Sequence, residues 1–299
     1  MIKILTAIVA GLTLTTSVIA DVRVFTCEPE WKSLVQELGG DRIKAFSATN
    51  AYQDPHRIEA RPSLIAKLRH ADLLICSGAD LEAGWLPVLL QQAANAKVLP
   101  GKAGYFEASQ VVTLLEKPEK VDRSMGDVHT AGNPHLHLDP HRISQVAKAL
   151  SARLVEIDPE GTAIYYQQYK DFHQRWHQAI QRWQQRAKPL KGKRVVVYHR
   201  NWPYLLDWLG VQRVGTLEPK PGLPTTAGHL TKLKQQLLDQ PADMIIHTAY
   251  QNPRAAKRLS TLTGIHIVEL PYTVGGSDEV FDLFSLFDIT LKQLLSAIK

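Results

Sequence analysis

Short apolar runs alternate with amphipathic stretches along both halves of the chain. In the first half, helical spacing of apolar residues at 30–38 and 62–70 separates the apolar runs, and the second half repeats this rhythm. The predicted strands are rich in β-branched and other apolar residues, and they are Val22–Phe25, Ile43–Phe46, Ala71–Cys76, Arg194–Tyr198, Met244–His247 and Ile265–Leu270. Strands that alternate with helices are typical of βαβ units, so the pattern predicts an α/β fold with parallel sheets.

A different pattern separates the two halves. Large apolar side chains recur there at steps of three or four residues, and they are Tyr165, Tyr169, Phe172, Trp176, Ile180 and Trp183. This spacing is that of one face of an α-helix, and Pro189 and Gly192 are typical of its end. The sequence therefore predicts a single long helix whose aromatic face is buried against both halves.

These patterns divide the chain into a leader, two lobes and a linker. Residues 1–20 have a basic start, a short apolar core and a small final residue, Ala20, which indicates a secretory signal peptide cleaved near that point. A membrane anchor is the alternative, although threonine and serine residues interrupt the apolar stretch. The N-terminal lobe is assigned to residues 21–157, the linker helix to 158–190 and the C-terminal lobe to 191–299.

Composition and charge add two constraints. Lys and Arg number 35 against 29 Asp and Glu, a formal charge of +6 that is spread along the chain. The densest basic stretch, residues 188–194, contains no aromatic residue, which favours a solvated boundary over a nucleic-acid surface.

The two cysteines, Cys27 and Cys76, lie at the ends of predicted strands. An even pair in an exported protein favours a disulfide, with two buried thiols as the alternative.

Three histidines that are far apart in sequence each occupy a polar turn. His56 follows an Asp-Pro pair, His135 follows an Asn-Pro pair, and His199 stands at the carboxyl end of a predicted strand. The two proline pairs favour defined turns, and ligands of open α/β sheets collect at the carboxyl ends of strands. Neutral imidazole is the commonest protein ligand for transition metals. We therefore predict a metal site that forms where the two lobes close.

The ordered combination of these segments resembles the metal-binding receptors of ABC importers, the zinc and manganese solute-binding family called cluster A-I. The matching segments are Gln53–His56, Asn133–Pro140, Tyr198–His199 and the central helix, and the similarity runs over essentially the whole mature chain. The resemblance implies two α/β lobes joined by one long helix, with the ion bound between them. It also implies a periplasmic receptor that works with a membrane permease, and no enzymatic activity.

By that resemblance, His56, His135 and His199 are the first three metal ligands. In such receptors a carboxylate at position 199 is associated with manganese and an imidazole with zinc, in agreement with ligand softness. This chain has histidine there, which indicates the zinc-binding type of the family. Three nitrogens and one oxygen would suit a four-coordinate Zn²⁺ ion.

The fourth ligand position departs from the family's pattern, because no aspartate follows the last predicted strand directly. Asp278 is the first aspartate reached, in a glycine-rich loop, and we assign it to this position. The alternatives are Asp282, Glu269 and water. Ser277 or Asp278 is also expected to cap the following helix, which would place Asp282 in its first turn.

Other polar residues receive supporting roles. Glu82 and Glu218 are expected to orient ligand imidazoles through their second ring nitrogen. His129 and His137 belong to a short histidine-rich loop, for which we hypothesise a weak secondary site that gathers or hands over metal. The alternative for these two histidines is a polar surface loop.

The function predicted from these features is a high-affinity periplasmic zinc receptor. Its cargo is Zn²⁺, its partner is the permease of an ABC importer, and a zinc-delivering metallochaperone is a further candidate partner. We expect a monomer that binds no nucleic acid. The alternatives are a receptor for manganese or another divalent metal, a metal chaperone, and a secreted zinc hydrolase. The absence of a His-Glu-x-x-His motif opposes the hydrolase.

Overall fold

The computed structural model describes residues 22–120, 126–127 and 129–298. The predicted signal peptide, residues 1–20, lies outside these ranges, so its cleavage near Ala20 stays a prediction. Among the described helices, none combines the length with the apolar character that crossing a membrane requires.

In the described part of the chain, eight strands form two parallel sheets. They are β1 (Val22–Thr26), β2 (Ile43–Ser47), β3 (Leu73–Cys76), β4 (Tyr105–Glu107), β5 (Arg194–Val197), β6 (Gln212–Thr216), β7 (Met244–His247) and β8 (His266–Glu269). The first sheet has the order β2-β1-β3-β4 and the second the order β6-β5-β7-β8. The six predicted strands are thus present, and β4 and β6 are added at one edge of each sheet.

The described residues also form nine α-helices that connect and cover the strands. They are α1 (Pro29–Gly39), α2 (Pro62–Arg69), α3 (Leu86–Ala93), α4 (Pro140–Ile157), α5 (Thr162–Ala187), α6 (Pro203–Leu209), α7 (Ala227–Asp239), α8 (Arg254–Thr263) and α9 (Leu283–Ser296). Proline is the first or second residue of five of them, α1 to α4 and α6, where the missing N–H has no intrahelical acceptor to lose.

The long helix α5 lies within the segment assigned to the linker and packs against α1, α4 and α9. The side chains of Phe172, Trp176 and Trp183 are almost fully buried, so the predicted aromatic face is a packing surface. The Trp176 indole donates a hydrogen bond to the carbonyl oxygen of Pro140 (2.8 Å), which ties α5 to the start of α4. The prediction of an α/β fold with one long central helix is confirmed, while the lobe boundaries stay predictions.

The two cysteines join the carboxyl ends of β1 and β3. Cys27 and Cys76 form a disulfide between residues 49 positions apart in sequence, and both are fully buried. The predicted disulfide is therefore confirmed, and neither sulfur is a free thiolate for a metal. The bridge fixes the end of the first sheet from which the site loops leave.

Breaking this disulfide is expected to lower the free energy of unfolding by about 2–4 kcal/mol, because the bridge restricts the unfolded chain over a long loop. Urea unfolding of the wild type and of the double variant Cys27→Ala/Cys76→Ala measures the loss. Reductant should bring the wild type close to the variant and leave the variant unchanged. Equal midpoints for the two proteins without reductant would contradict this expectation.

Candidate metal centre

Three histidines from separate loops meet in space. His56 lies in the loop after β2, His135 in the loop before α4, and His199 in the loop after β5. Each offers a ring nitrogen, and these nitrogens lie within 4.8 Å of one another. The ring centroids of the three pairs are 5.5, 5.6 and 6.0 Å apart. The fold thus brings the three histidines predicted from the sequence, His56, His135 and His199, into one cluster, hereafter the three-histidine group.

Carboxylates hold two of these rings by the nitrogen nearer the backbone. The Nδ1 atom of His56 lies 2.8 Å from Oδ1 of Asp54, and the Nδ1 atom of His199 lies 2.6 Å from Oε2 of Glu218. Because a carboxylate only accepts, each Nδ1 carries the ring proton and donates it. When such a ring is neutral, its lone pair is on Nε2, which is the form of imidazole that binds a metal. Glu218 thus contacts a candidate ligand imidazole as expected, and its orienting role in metal binding stays a prediction.

A buried tyrosine holds the third ring. The Nδ1 atom of His135 lies 2.6 Å from the Tyr272 hydroxyl, and the Nε2 atom of His135 is buried with no hydrogen-bond partner among the described residues. Burial raises the pKa of Tyr272 well above its ordinary value, so the hydroxyl keeps its proton. An unpaired buried nitrogen is costly, and a bound ion would satisfy it.

The same local turn precedes two of the ligand candidates. Asp54 accepts the backbone N–H of His56 (3.1 Å), and Asn133 accepts the backbone N–H of His135 (3.0 Å) through their side-chain oxygens. Such turns are formed by Asp and Asn two residues before the donor, which explains why Asp-Pro-His and Asn-Pro-His fix the imidazole positions. Asn133 also donates to the Arg200 carbonyl oxygen (2.8 Å), which ties the His135 turn to the residue after His199.

A fourth imidazole lies beside the group. The Nε2 atoms of His129 and His56 are 3.2 Å apart, and the His129 ring centroid lies 6.3 Å from that of His135. Burial, together with neighbouring His56, lowers the pKa of His129 to about 4. Burial also holds the pKa of His135 well below its ordinary value. Both rings are therefore neutral at neutral pH, as metal ligation requires.

His137 does not share the surroundings of His129. It is fully buried, its Nε2 donates to the Tyr272 carbonyl oxygen (2.9 Å), and its Nδ1 lies 3.1 Å from Oε1 of Glu30. The interpretation of His137 as part of a polar surface loop is wrong, because the helical turn after His135 directs it into the core. The two rings make different contacts, and no close group of ligand atoms among the described residues contains both His129 and His137, so a shared secondary site stays a hypothesis.

The acidic alternatives for the fourth ligand lie elsewhere. Among the described residues, the group of close ligand atoms includes the three histidines and none of the three acidic candidates. Asp278 is exposed, and the Glu269 side chain is 60% exposed beside His247. Asp282 itself caps α9 by accepting the N–H of Ser285 (2.7 Å), so the expected cap at residue 277 or 278 is wrong.

Glu82 also differs from its predicted role. Its carboxylate accepts the backbone N–H groups of Ser77 (2.8 Å) and Gly78, and in the part of the chain that the structure describes it holds no ligand imidazole. Burial raises the pKa of Glu82 to about 7, and burial with the charge of Glu82 raises that of Glu28. These two buried carboxyl groups stabilise the turn after β3 and stand apart from the three-histidine group.

Comparison with known proteins identifies related chains. A family model described as ZnuA, zinc-uptake complex component A, periplasmic, matches residues 24–297. The high-affinity zinc uptake system protein ZnuA of Bacillus subtilis is 24% identical over 250 residues, which are 82% of this chain and 76% of that protein. The manganese ABC transporter substrate-binding lipoprotein PsaA of Streptococcus anginosus is 27% identical over 158 residues, 53% of this chain and 45% of that protein. The second match thus spans less than half of the relative.

Solved structures share the fold over nearly the whole chain. A crystal structure of ZnuA has a TM-score of 0.78 and 19% identity, and the match covers 93% of this chain and 100% of that one. The binding protein FpvC of Pseudomonas aeruginosa in complex with Mn²⁺ has a TM-score of 0.77 and 19% identity, with 93% and 99% coverage. At this identity the likeness establishes the two-lobe fold alone.

Removing the hydrogen-bond partner of His199 is expected to weaken metal binding. The variant Glu218→Ala should lose roughly 10–100-fold in affinity for Zn²⁺, because the imidazole loses the acceptor that fixes its orientation. Competition with a chelating dye measures the affinity. Glu279→Ala, which removes an exposed carboxylate from the same half of the chain, is the control and should bind as the wild type does. Equal affinities for both variants would contradict the orienting role.

Proposed function

We propose that this chain, which belongs to the ZnuA family of periplasmic zinc-uptake components, binds Zn²⁺ with high affinity and delivers it to the permease of an ABC importer. The family consists of substrate-binding receptors of ABC transporters, so the chain is a metal receptor and no enzyme. The alternative of a secreted zinc hydrolase is therefore wrong.

The convergence of three oriented imidazoles carries the proposal. Each of His56, His135 and His199 has its Nδ1 engaged by a hydrogen-bond partner, which leaves the three Nε2 atoms as the candidate metal-binding nitrogens. Zinc bonds to histidine nitrogen at about 2.0–2.1 Å and accepts four ligands in structural sites. Nitrogen-rich sites suit zinc, whereas manganese prefers carboxylate and water oxygen. The imidazole at position 199 supports zinc for that reason.

The proposed mechanism is capture between two lobes. His56 and His135 belong to the N-terminal lobe, assigned to residues 21–157, and His199 belongs to the C-terminal lobe, assigned to residues 191–299. An ion bound by both lobes holds them together, and separation of the lobes at the permease would release it. We propose that the receptor acts as a monomer and that a zinc-delivering metallochaperone is a source of the ion.

Asp278 is the acidic candidate for the fourth ligand. Asp278 is exposed in the loop after β8, so its carboxylate would reach the three-histidine group only if that loop moved. The proposal therefore rests on the three histidines. A manganese receptor is the second candidate, because one relative is described as a manganese transporter lipoprotein and FpvC is described in complex with Mn²⁺.

Competition between zinc and manganese tests the proposal. The wild type should bind one Zn²⁺ tightly and prefer it to Mn²⁺, and His199→Ala should lose most of its zinc affinity. His199→Asp should regain binding with a preference shifted towards manganese, because oxygen replaces nitrogen. His173→Ala, which removes an exposed histidine of α5, is the control. A wild type that prefers manganese, or a His199→Ala variant that binds zinc normally, would contradict the proposal.

A further inference from the structure

His129 is positioned to share an ion with the three-histidine group. Two nitrogens bound to one tetrahedral zinc, each at about 2.0–2.1 Å, are separated by about 3.3–3.4 Å. The observed separation between the Nε2 atoms of His129 and His56 is 3.2 Å. This is also a hydrogen-bond distance for one shared proton, and an ion that replaced that proton could contact both nitrogens after a small adjustment of either ring.

The segment that carries His129 is anchored to both halves of the chain. Thr130 donates to Oδ2 of Asp80 from its backbone N–H (3.1 Å) and its hydroxyl (2.8 Å). On the other side, the backbone N–H of Asp127 donates to the Pro221 carbonyl oxygen (2.9 Å). A Cβ atom at Gly126 would lie 2.2 Å from that same oxygen, so only glycine permits the approach. His129 thus lies between two fixed attachments.

The turn that carries Asp80 has an unfavourable backbone conformation that a buried carboxylate supports. Ala79 and Asp80 both have positive φ angles, 51° and 66°, a conformation that costs roughly 1–2 kcal/mol for each non-glycine residue. The buried Glu82 carboxylate offsets part of this cost by accepting the N–H groups of Ser77 and Gly78 at the start of the turn. Strained backbone that is supported in this way is typical of functional sites. Here it places the acceptor for Thr130.

The other candidates for the fourth position are less well placed. Asp278 is exposed, and the carboxylate of Asp282 is engaged by the first turn of α9. The carboxylates that do reach the group, Asp54 and Glu218, already accept protons from the Nδ1 atoms of His56 and His199. His129 is the residue whose metal-binding nitrogen already contacts a ligand nitrogen.

We propose that His129 is the fourth ligand of the zinc ion, so that the site consists of four imidazoles. The inference rests on the proposed function and changes the ligand set of the proposed zinc site. A site of four nitrogens offers manganese no carboxylate oxygen. Asp127 contacts the Pro221 loop of one half and Thr130 contacts the Asp80 turn of the other, so His129 lies where the two halves meet.

X-ray absorption fine structure at the zinc edge tests this inference, because imidazole rings give a characteristic outer-shell signal that can be counted. The wild type should show four imidazoles, His129→Ala should show three with one oxygen, and Asp278→Ala should keep four. His129→Ala should also bind zinc more than about 100-fold more weakly, a larger loss than an orienting partner causes. Its Zn²⁺ to Mn²⁺ preference should fall, whereas that of Asp278→Ala should not change.

The outcomes separate this inference from the receptor function. A wild type with three imidazoles and an oxygen that disappears in Asp278→Ala would overturn the role of His129 and restore the carboxylate ligand. Three imidazoles that persist in both variants, with unchanged affinity, would also overturn it while leaving a zinc receptor. A wild type that binds no zinc would overturn the receptor function itself, and with it the inference. The wild-type count needs no variant, so misfolding of His129→Ala leaves the test intact.

Discussion

An imidazole presents a metal-binding nitrogen in a defined direction only when its other nitrogen is held, and this constraint organises the centre of the molecule. Asp54, Glu218 and Tyr272 supply that hold for three rings that come from three different loops. The parallel sheets make the arrangement possible, because their strands all deliver loops to the same edge. The disulfide and the turns at Asp54 and Asn133 then limit where those loops can go. The sheets thus restrict where the loops lie, and the loops in turn restrict where the imidazoles lie.

The contact between the two halves is built from polar groups as well as apolar ones. The Tyr272 hydroxyl meets His135, its carbonyl oxygen accepts from His137, and the hydroxyl of the next residue, Thr273, donates to Glu30. A buried polar network stabilises one arrangement strongly when every partner is present, and it is costly when one is lost. Such contacts can exchange for water when lobes separate. A receptor that must release its cargo benefits from closure that is specific and reversible.

Much of the fold could be predicted because its pattern is strong. Central strands are continuous apolar runs, and α5 has a largely aromatic face over about five turns, both of which local sequence reveals. The strands β4 and β6 were not predicted, because β4 has only three residues and β6 is only partly buried, so both lack that pattern. The three histidines were found through their turns. Asp278 was favoured because an aspartate in a glycine-rich loop has the same sequence signal whether it binds a metal or faces solvent. His129 and His137 could not be distinguished, since the direction of each ring depends on distant partners such as Tyr272.

The central claim is that one ion is bound by the Nε2 atoms of His56, His135 and His199. A crystal structure of the zinc-loaded protein, with anomalous difference maps collected at the zinc absorption edge, measures this most directly. The account predicts a single strong peak about 2.0–2.1 Å from all three Nε2 atoms, with each Nδ1 still paired to its present partner. A peak at another place, coordination through Nδ1, or a zinc-free cleft in crystals that contain zinc elsewhere would contradict it.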